Sequence, residues 1–591
     1  MKHHQRIATS ALFALSLTLL SSCSKTESES RTILTPAEPP SAADLVLRGG
    51  VVATVDVDMS EAEAIAVRGH SIVAVGSDQT VDAYIGPETQ VIELNGRFVM
   101  PGFIEGHGHF MSLGRAQQIL DLRDAESWQE IVTKVALAVD SAVPGEWIFG
   151  RGWHQDKWNT VPDDAVDGVP LNTELNRIAP DNPVLLGHAS GHAAFVNAAA
   201  LAAADVTAAT PDPPGGTIVR DAQGTATGLL RETAQRLLAQ AQADYAAQMS
   251  DADRQQQRRE QVRLASEEAL RHGITSFHDA GADFATIDFF KTLEAAEQLP
   301  IRLYVMVRGE SNDAMAALLP EYFMPAEGND FLTVRSIKRQ LDGALGAHGA
   351  WLLAPYADLP ETSGLVLEPL KDIATTARIA IQNGFQVNTH AIGDRANREI
   401  LDLYAQAFTA TKRDGEALRF RIEHAQHIHP DDVPRLGELG VIASVQGVHC
   451  TSDGPWIPKR LGEARALQTS YPWRDLIDGG ALIANGTDVP VEPIDALASY
   501  LASVTRTTID GTRFVPAQAM TRVEALRSYT INNAYAAFEE DIKGSLEAGK
   551  LADIVVLSDN ILAADESVLG TTTVDLTIVG GRIKYRRGAP F

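Results

Sequence analysis

Between residues 100 and 540, short apolar runs alternate with helical stretches, and this rhythm constrains the fold more than any other feature of the chain. The runs are the segment leading into His107, GITSFHDA (273–280), IRLYVMV (301–307), VRSIKRQLDG (334–343), FQVNTHA (385–391), RFRIEHA (419–425), VIASVQ (441–446) and ALIANGTD (481–488). Strands separated by helices pair in parallel, and eight of them favour a closed barrel. PVLLGH (183–188) is also strand-like, and it is assigned to an insertion at about residues 112–260, between the first and second barrel strands.

The two ends have another texture. ADLVLRGGVVATV, EAIAVRGHSIVAVG and QVIELNGRFVMP are β-branched runs broken by Gly and Asp, and GSLEAGKLADIVVLS and TVDLTIVGGRIKYRR repeat the pattern near the C terminus. They suggest one β-sandwich built from residues 44–99 plus 541–591, flanking a barrel of residues 100–540. Periodicity alone does not pair the two ends.

The first residues are read as a targeting segment. MKHHQR is basic, IATSALFALSLTLL is apolar, and SSC follows, a layout too short for a spanning helix. Leu20-Ser21-Ser22-Cys23 resembles a bacterial lipobox, so residues 1–23 are expected to be a lipoprotein signal peptide with Cys23 lipidated; the other reading is an ordinary signal with an incidental cysteine. Residues 24–43 are polar and Pro-rich, as in a disordered tether. Ser24 resembles the sorting signal for the outer membrane of Gram-negative bacteria, facing the periplasm. Cys23 and Cys450 are the only cysteines, so lipidation of the first precludes an internal disulfide. The net charge of −27 argues against a nucleic-acid surface and reads as a solvated, soluble one, so the partner expected from the leader is a membrane reached through Cys23. Oligomeric state leaves no mark in the sequence.

A barrel of this kind keeps its chemistry at the C-terminal ends of its strands. Residues 97–110 read RFVMPGFIEGHGHF. In a strand, residues i and i+2 share a face, so His107 and His109 converge as two ligands of one ion would; a polar turn is the competing reading. Lys338 and Asp342 stand on the fourth strand, on one face with Ser336 and Gln340. The fifth, sixth and eighth strands end at His390, His424 and Asp488. Each has a plain alternative: a structural histidine, a Lys338–Asp342 pair, an Asp488 that caps a turn. Together, four histidines and an aspartate at the ends of four strands point to a divalent cation such as zinc.

GFIEGHGH, IKRQLDGALGAHGA, NTHAIGDRANREI, RIEHAQHI and NGTDVPVEP resemble the amidohydrolase superfamily, specifically its third amidohydrolase (YtcJ-like) branch, from about residue 44 to the C terminus. GWHQDKW, LGHASGHAAFVNAAAL and GGTIVRDAQGTATGLLRE in the insertion match it too. The resemblance implies an α/β fold, a distorted (β/α)8 TIM-like barrel beside a β-sandwich formed from both chain ends. It implies that His107, His109, His390 and His424 are metal ligands and that Asp488 is both ligand and general base. Lys338 falls where members with two metals carry a carboxylated lysine, so one or two ions, zinc foremost, are implied.

Two departures bear on the substrate. Ala347-His348 replaces the Ser-Arg that often follows DGALG, and Gly447 replaces a proline in the stretch containing His449. His192, Asp342 and His449 are carried as substrate-contact candidates, with His188 a further one in the insertion. His154, His272, His278, His427 and His429 read as structural or surface groups, and Cys450 as a buried small residue. The activity implied is hydrolysis of a non-peptide C–N bond in an N-substituted amide or formamide, since N-substituted formamide deformylases occur in the branch. Cyclic-amide opening, ester hydrolysis and mononuclear deamination run on the same scaffold. Outside catalysis, a lipoprotein that binds metal or ligand without turnover is the remaining reading.

Overall fold

Eight parallel strands occur in the order the sequence predicts: β1 (Phe103–Gly108), β2 (Ile274–Ala282), β3 (Arg302–Val307), β4 (Leu332–Gln340), β5 (Gln386–Ala391), β6 (Arg421–His424), β7 (Ile442–Gln446) and β8 (Ile483–Gly486). Each pairs with the next, and a short strand, Met324–Glu327, adds antiparallel to β4. The computed structural model describes residues 40–589 except 161–164, 167, 190, 192, 215 and 328–329. The expected signal segment with Cys23, residues 24–39 of the expected tether, and His192 lie outside the described residues. Among the described residues no helix is long and apolar enough to cross a membrane.

Alternation sorts the barrel strands. On β3, Leu303, Val305 and Val307 join the apolar core shared with the surrounding helices. Tyr304 and Met306 face the lumen, where Tyr304 Oη donates to Gln386 Oε1 (3.1 Å) and Asn388 Nδ2 lies 3.1 Å from the Met306 sulfur. Helices such as Leu370–Asn383 bury Ile373, Ala377 and Ala380 at helical spacing, and that helix ends where Gly384 takes a left-handed conformation (φ 77°).

The barrel closes without a ladder between β8 and β1. Asp488 N donates to His107 O (2.7 Å) and His109 N to Val489 O (2.7 Å). Asn533 Nδ2 bridges Ile104 O (2.7 Å) and Asn485 O (2.8 Å). Thr487 donates to Glu105 through its N (2.6 Å) and Oγ1 (2.9 Å). The seam has room only for glycine: a Cβ on Gly106 would lie 2.4 Å from Asn485 O, and one on Gly486 would lie 2.4 Å from Glu105 Oε1. This side-chain seam is the distortion of the barrel.

Both chain ends build the sandwich. One sheet holds Leu45–Arg48, Ala64–Arg68, Ser71–Gly76 and Gln90–Glu93; the other orders Arg582–Arg586, Val574–Val579, Ile554–Leu557, Phe98–Pro101, Val51–Ala53 and Glu61–Ala62. In the second sheet Val99, Ile554 and Val556 fill the sandwich interior, while Phe98, Met100, Val555 and Leu557 join the barrel core. Those strands are buried on both faces, which is why they read as unbroken apolar runs. Arg302 at the base of β3 pins the two parts together, its Nε and Nη2 reaching Asp553 Oδ2 (2.7 Å) and Oδ1 (3.0 Å). Between β1 and β2 the insertion forms its own six-stranded sheet, and PVLLGH supplies its strand Val184–His188.

Candidate active site

Side chains from β1, β4, β5, β6 and the loop after β8 meet in one buried cluster at the C-terminal mouth of the barrel. His107 is fully buried, and its Nδ1 makes a short hydrogen bond with Glu423 Oε2. Its Nε2 therefore turns inward, 3.2 Å from Lys338 Nζ and 3.6 Å from Asp488 Oδ1. His109 Nε2 approaches the same Asp488 oxygen at 3.2 Å. The His424 ring stands 4.8 Å from that of His107 and 4.4 Å from that of His390, centroid to centroid. One ligating atom from each of His107, His424 and Asp488 can be chosen so that all lie within 4.8 Å of one another.

The local backbone explains how β6 contributes twice. Strict alternation sends Arg421 and Glu423 into the lumen and Ile422 into the outer core. His424 would then face outward, but it adopts φ 78° and turns back toward His107 and His390. Asp488 is also left-handed, at φ 60°. Such conformations cost about 1–3 kcal/mol each, and here they turn two candidate ligands into the lumen.

Burial sets the protonation states. It pushes His107 down to about 4, helped by the nearby Lys338 amine, and holds His390 and His424 well below the usual imidazole range. All three are thus neutral at physiological pH, with lone pairs free to ligate. For Glu423, burial works against ionisation, but His107, Lys338 and Arg421 outweigh it and bring the carboxyl down to about 2. The carboxylate holds the His107 proton on Nδ1, as Gln446 Oε1 does for Nδ1 of His424 at 2.8 Å. Asp488 is likewise kept ionised: burial would raise it, yet the His109 contact and the neighbouring His107 and His424 hold it well below the carboxylate norm. Burial lowers Lys338 to about 8.

Among the described residues, His390 Nε2, His449 Nε2, Asp488 Oδ1, Glu423 Oε1 and Gln446 Nε2 are buried polar atoms of this cluster without a hydrogen bond. Buried polar atoms are rarely left so. Imidazole nitrogens converging on a carboxylate are a donor set that one or two divalent cations would satisfy. The residues present fit a metal.

Other candidates fall differently. Asp342 is fully buried, and its oxygens accept the N–H groups of Trp351 (2.8 Å), Ile392 (3.0 Å) and Gly393 (2.9 Å), so it ties the β4 and β5 loops. His449 hydrogen-bonds Gln426 through Nδ1 (3.1 Å) and points Nε2 toward Asp488 Oδ2 at 4.0 Å, at the edge of the cluster. His188 meets Gln155 Oε1 (3.1 Å) inside the insertion. His348 is held by Asp358 at 3.1 Å, and Arg460 grips the same carboxylate. Cys450 is buried, its thiol pushed up to about 12 by burial, which makes it a poor nucleophile. Glu423 and Gln446 went unnoticed in the sequence reading. Gln446 ends β7 as His390 lies near the end of β5, so the strand-end rule reaches it. Glu423 precedes His424, and only the left-handed turn puts both in the lumen.

Comparison with known proteins agrees with this geometry. The Amidohydro_3 profile, described as an amidohydrolase family, matches residues 90–585. Protein LONG AFTER FAR-RED 3 of Arabidopsis thaliana is 35% identical over 92% of this chain and 92% of its own length. N-substituted formamide deformylase of Arthrobacter pascens is 28% identical over 92% of this chain and 98% of its own. Among solved structures, an uncharacterized metal-dependent hydrolase from Pyrococcus horikoshii OT3 superposes with a TM-score of 0.72 at 26% identity, covering 88% of this chain and 99% of that one.

Proposed function

The chain belongs to the amidohydrolase family, and from that premise we propose that it hydrolyses a non-peptide C–N bond, in an N-substituted amide or formamide. The observation that carries the reading is the cluster of buried His107, His424 and Asp488, with ligating atoms within 4.8 Å of one another, and with His109 3.2 Å from Asp488 Oδ1 and the His390 ring 4.4 Å from that of His424. His107, His109, His390, His424 and Asp488 would hold the ion, zinc in the first instance. Lys338 would join them as a carbamate if two ions are held. A divalent ion bound there supplies Lewis acidity toward water and toward a substrate carbonyl.

The chain's own residues do the rest. Asp488 stays ionised and carries its carboxylate into the cluster, so it can take the proton of the attacking water and deliver it to the leaving nitrogen. Glu423 and Gln446 keep His107 and His424 in the tautomers that turn Nε2 inward. With Lys338 lowered to about 8, a useful fraction of its amine is uncharged near neutral pH, as carbamate formation requires. The formamide preference is supported by the likeness to the Arthrobacter deformylase. Export and lipid anchoring at Cys23 remain part of the proposal on the strength of residues 1–23, and Cys23→Ala should release the protein from the membrane fraction.

The test is metal content and turnover measured together on protein purified without chelators. About one or two zinc-class ions per chain, with release of formate from N-benzylformamide or of amine from other N-substituted amides, supports the reading. A chain that binds no zinc on addition sinks it.

A further inference from the structure

A cavity lies beside the cluster, between the loop that follows Asp488 and the edge of the insertion sheet. Its insertion wall carries Arg151, on the strand Ile148–Trp153. The neighbouring strands place Asp121 on one side of Arg151 and Gly187 on the other. By register Asp121 is its natural counterion, but Arg123 occupies that carboxylate, with Nε 3.0 Å from Oδ1 and Nη2 2.6 Å from Oδ2. Gly152 permits this: at φ 105° it lacks the Cβ that would stand 2.5 Å from Arg123 Cγ. Gly187 presents no side chain to Arg151 on its other side.

The Arg151 guanidinium makes no hydrogen bond or ion pair among the described residues. It is half-buried, and Asp488 lies within its electrostatic reach. Glu268, on the helix Asp251–Arg271, is engaged by His272 at 3.4 Å, and Glu492, on the loop after Asp488, also lines the cavity. A planar fork of donors that faces a cavity and is claimed by no protein acceptor is open to a bidentate partner. Its geometric complement is a carboxylate. Leu113, Ile119, Val489 and Ile494 line the same cavity and suit an apolar spacer.

We propose that Arg151 is the receptor for a carboxylate on the substrate, joined by a short apolar spacer to the scissile amide, so that the preferred substrates are acidic N-substituted amides. This rests on the amide-hydrolase reading for the reacting end and on the cavity alone for the acidic end.

The test separates the two. Calorimetric titration of the zinc-supplemented protein with 3-phenylpropanoate and its neutral isostere 3-phenylpropanamide reads binding without turnover. The acid should bind about tenfold or more tightly than the amide. Arg151→Gln should erase that preference, and Arg151→Lys should keep part of it, with unchanged circular dichroism in both. A preference that survives in Arg151→Gln places the carboxylate elsewhere, on the metal or another cation, and overturns the proposal. Equal or absent binding of the two probes overturns it as well. Turnover is then compared for N-benzylformamide and 4-(formamidomethyl)benzoate. If neither is cleaved while the Arg151-dependent preference stands, the amide reading of the reacting end has failed and the carboxylate receptor has not.

Discussion

Glu423→Gln probes the arrangement most sharply, because Glu423 does not itself face the reacting atoms. The substitution keeps shape and volume and removes one negative charge. The carboxyl is fully buried and held down to about 2, against 4.5 for an ordinary glutamate, so its charged form is favoured even after the penalty of burial. A depressed carboxylate contributes its stability above the unfolded value and loses it as pH falls through the folded one. Metal-free Glu423→Gln should therefore be less stable than wild type at pH 7, by about 1.5–3 kcal/mol for a hydrogen bond to a buried charged group, and the difference should shrink as the pH is lowered from about 4.5 toward 2. Groups that orient ligands typically contribute about 10–100-fold to metal affinity. His107 Nδ1 keeps an acceptor in the glutamine amide oxygen but loses the charge that strengthens its Nε2 as a ligand. Zinc competition against a chromophoric chelator at pH 7.5 should show that loss, with urea unfolding of the metal-free protein giving the stability difference. A folded variant that binds zinc within twofold of wild type would mean that Glu423 does not orient His107.

Asp488→Asn should lower turnover by at least about 10³-fold while leaving zinc content within a factor of a few, read by inductively coupled plasma analysis of the same preparation. Full activity would remove Asp488 from the role of base. For Lys338, ¹³C-bicarbonate should give a carbamate resonance in the metal-loaded protein that is missing from Lys338→Met, whose metal content should drop as well. Gly486→Ala forces a Cβ to 2.4 Å from Glu105 Oε1 and 2.5 Å from His107 N, and should destabilise the fold by about 1–3 kcal/mol in urea melts. Glu524 is lowered to about 2, chiefly by Arg474, and also accepts the Thr521 N–H at 2.7 Å. Glu524→Gln should thus cost stability at pH 7 and little near pH 2, the difference fading as pH falls below about 4.5; a constant gap across that window would assign the cost to the helix cap instead.

Much of this was legible in the chain because barrel strands are short, buried and punctuated by helices, and because strand ends define where chemistry sits. His107, His109, His390 and Asp488 follow from that rule together with period-two alternation. His424 was found at a strand end although alternation points it outward, since no feature of RIEH announces a left-handed backbone. For the same reason Glu423 was passed over: adjacent strand residues are expected on opposite faces. Asp342 obeys parity, yet three backbone amides claim its oxygens, and loop amides leave no pattern in a sequence. Arg151 was invisible because its isolation depends on Arg123 taking Asp121, a competition decided by the left-handed Gly152.

The stitched seam between β8 and β1 has a consequence for how the molecule assembles. Those strands lie nearly 400 residues apart, and their meeting brings together the most distant segments of the barrel. Pairings of that span come with a large loop-closure entropy and slow the search for the native topology. His107 and Asp488 stand on opposite sides of that junction, and the Asp488 amide already donates to His107 O. A cation gripped by both would act as a clasp on the final join. Metal should then slow the opening of the barrel more than it speeds its formation, and hydrogen exchange at the seam amides of His109, Thr487 and Asp488 should be the first to report its loss.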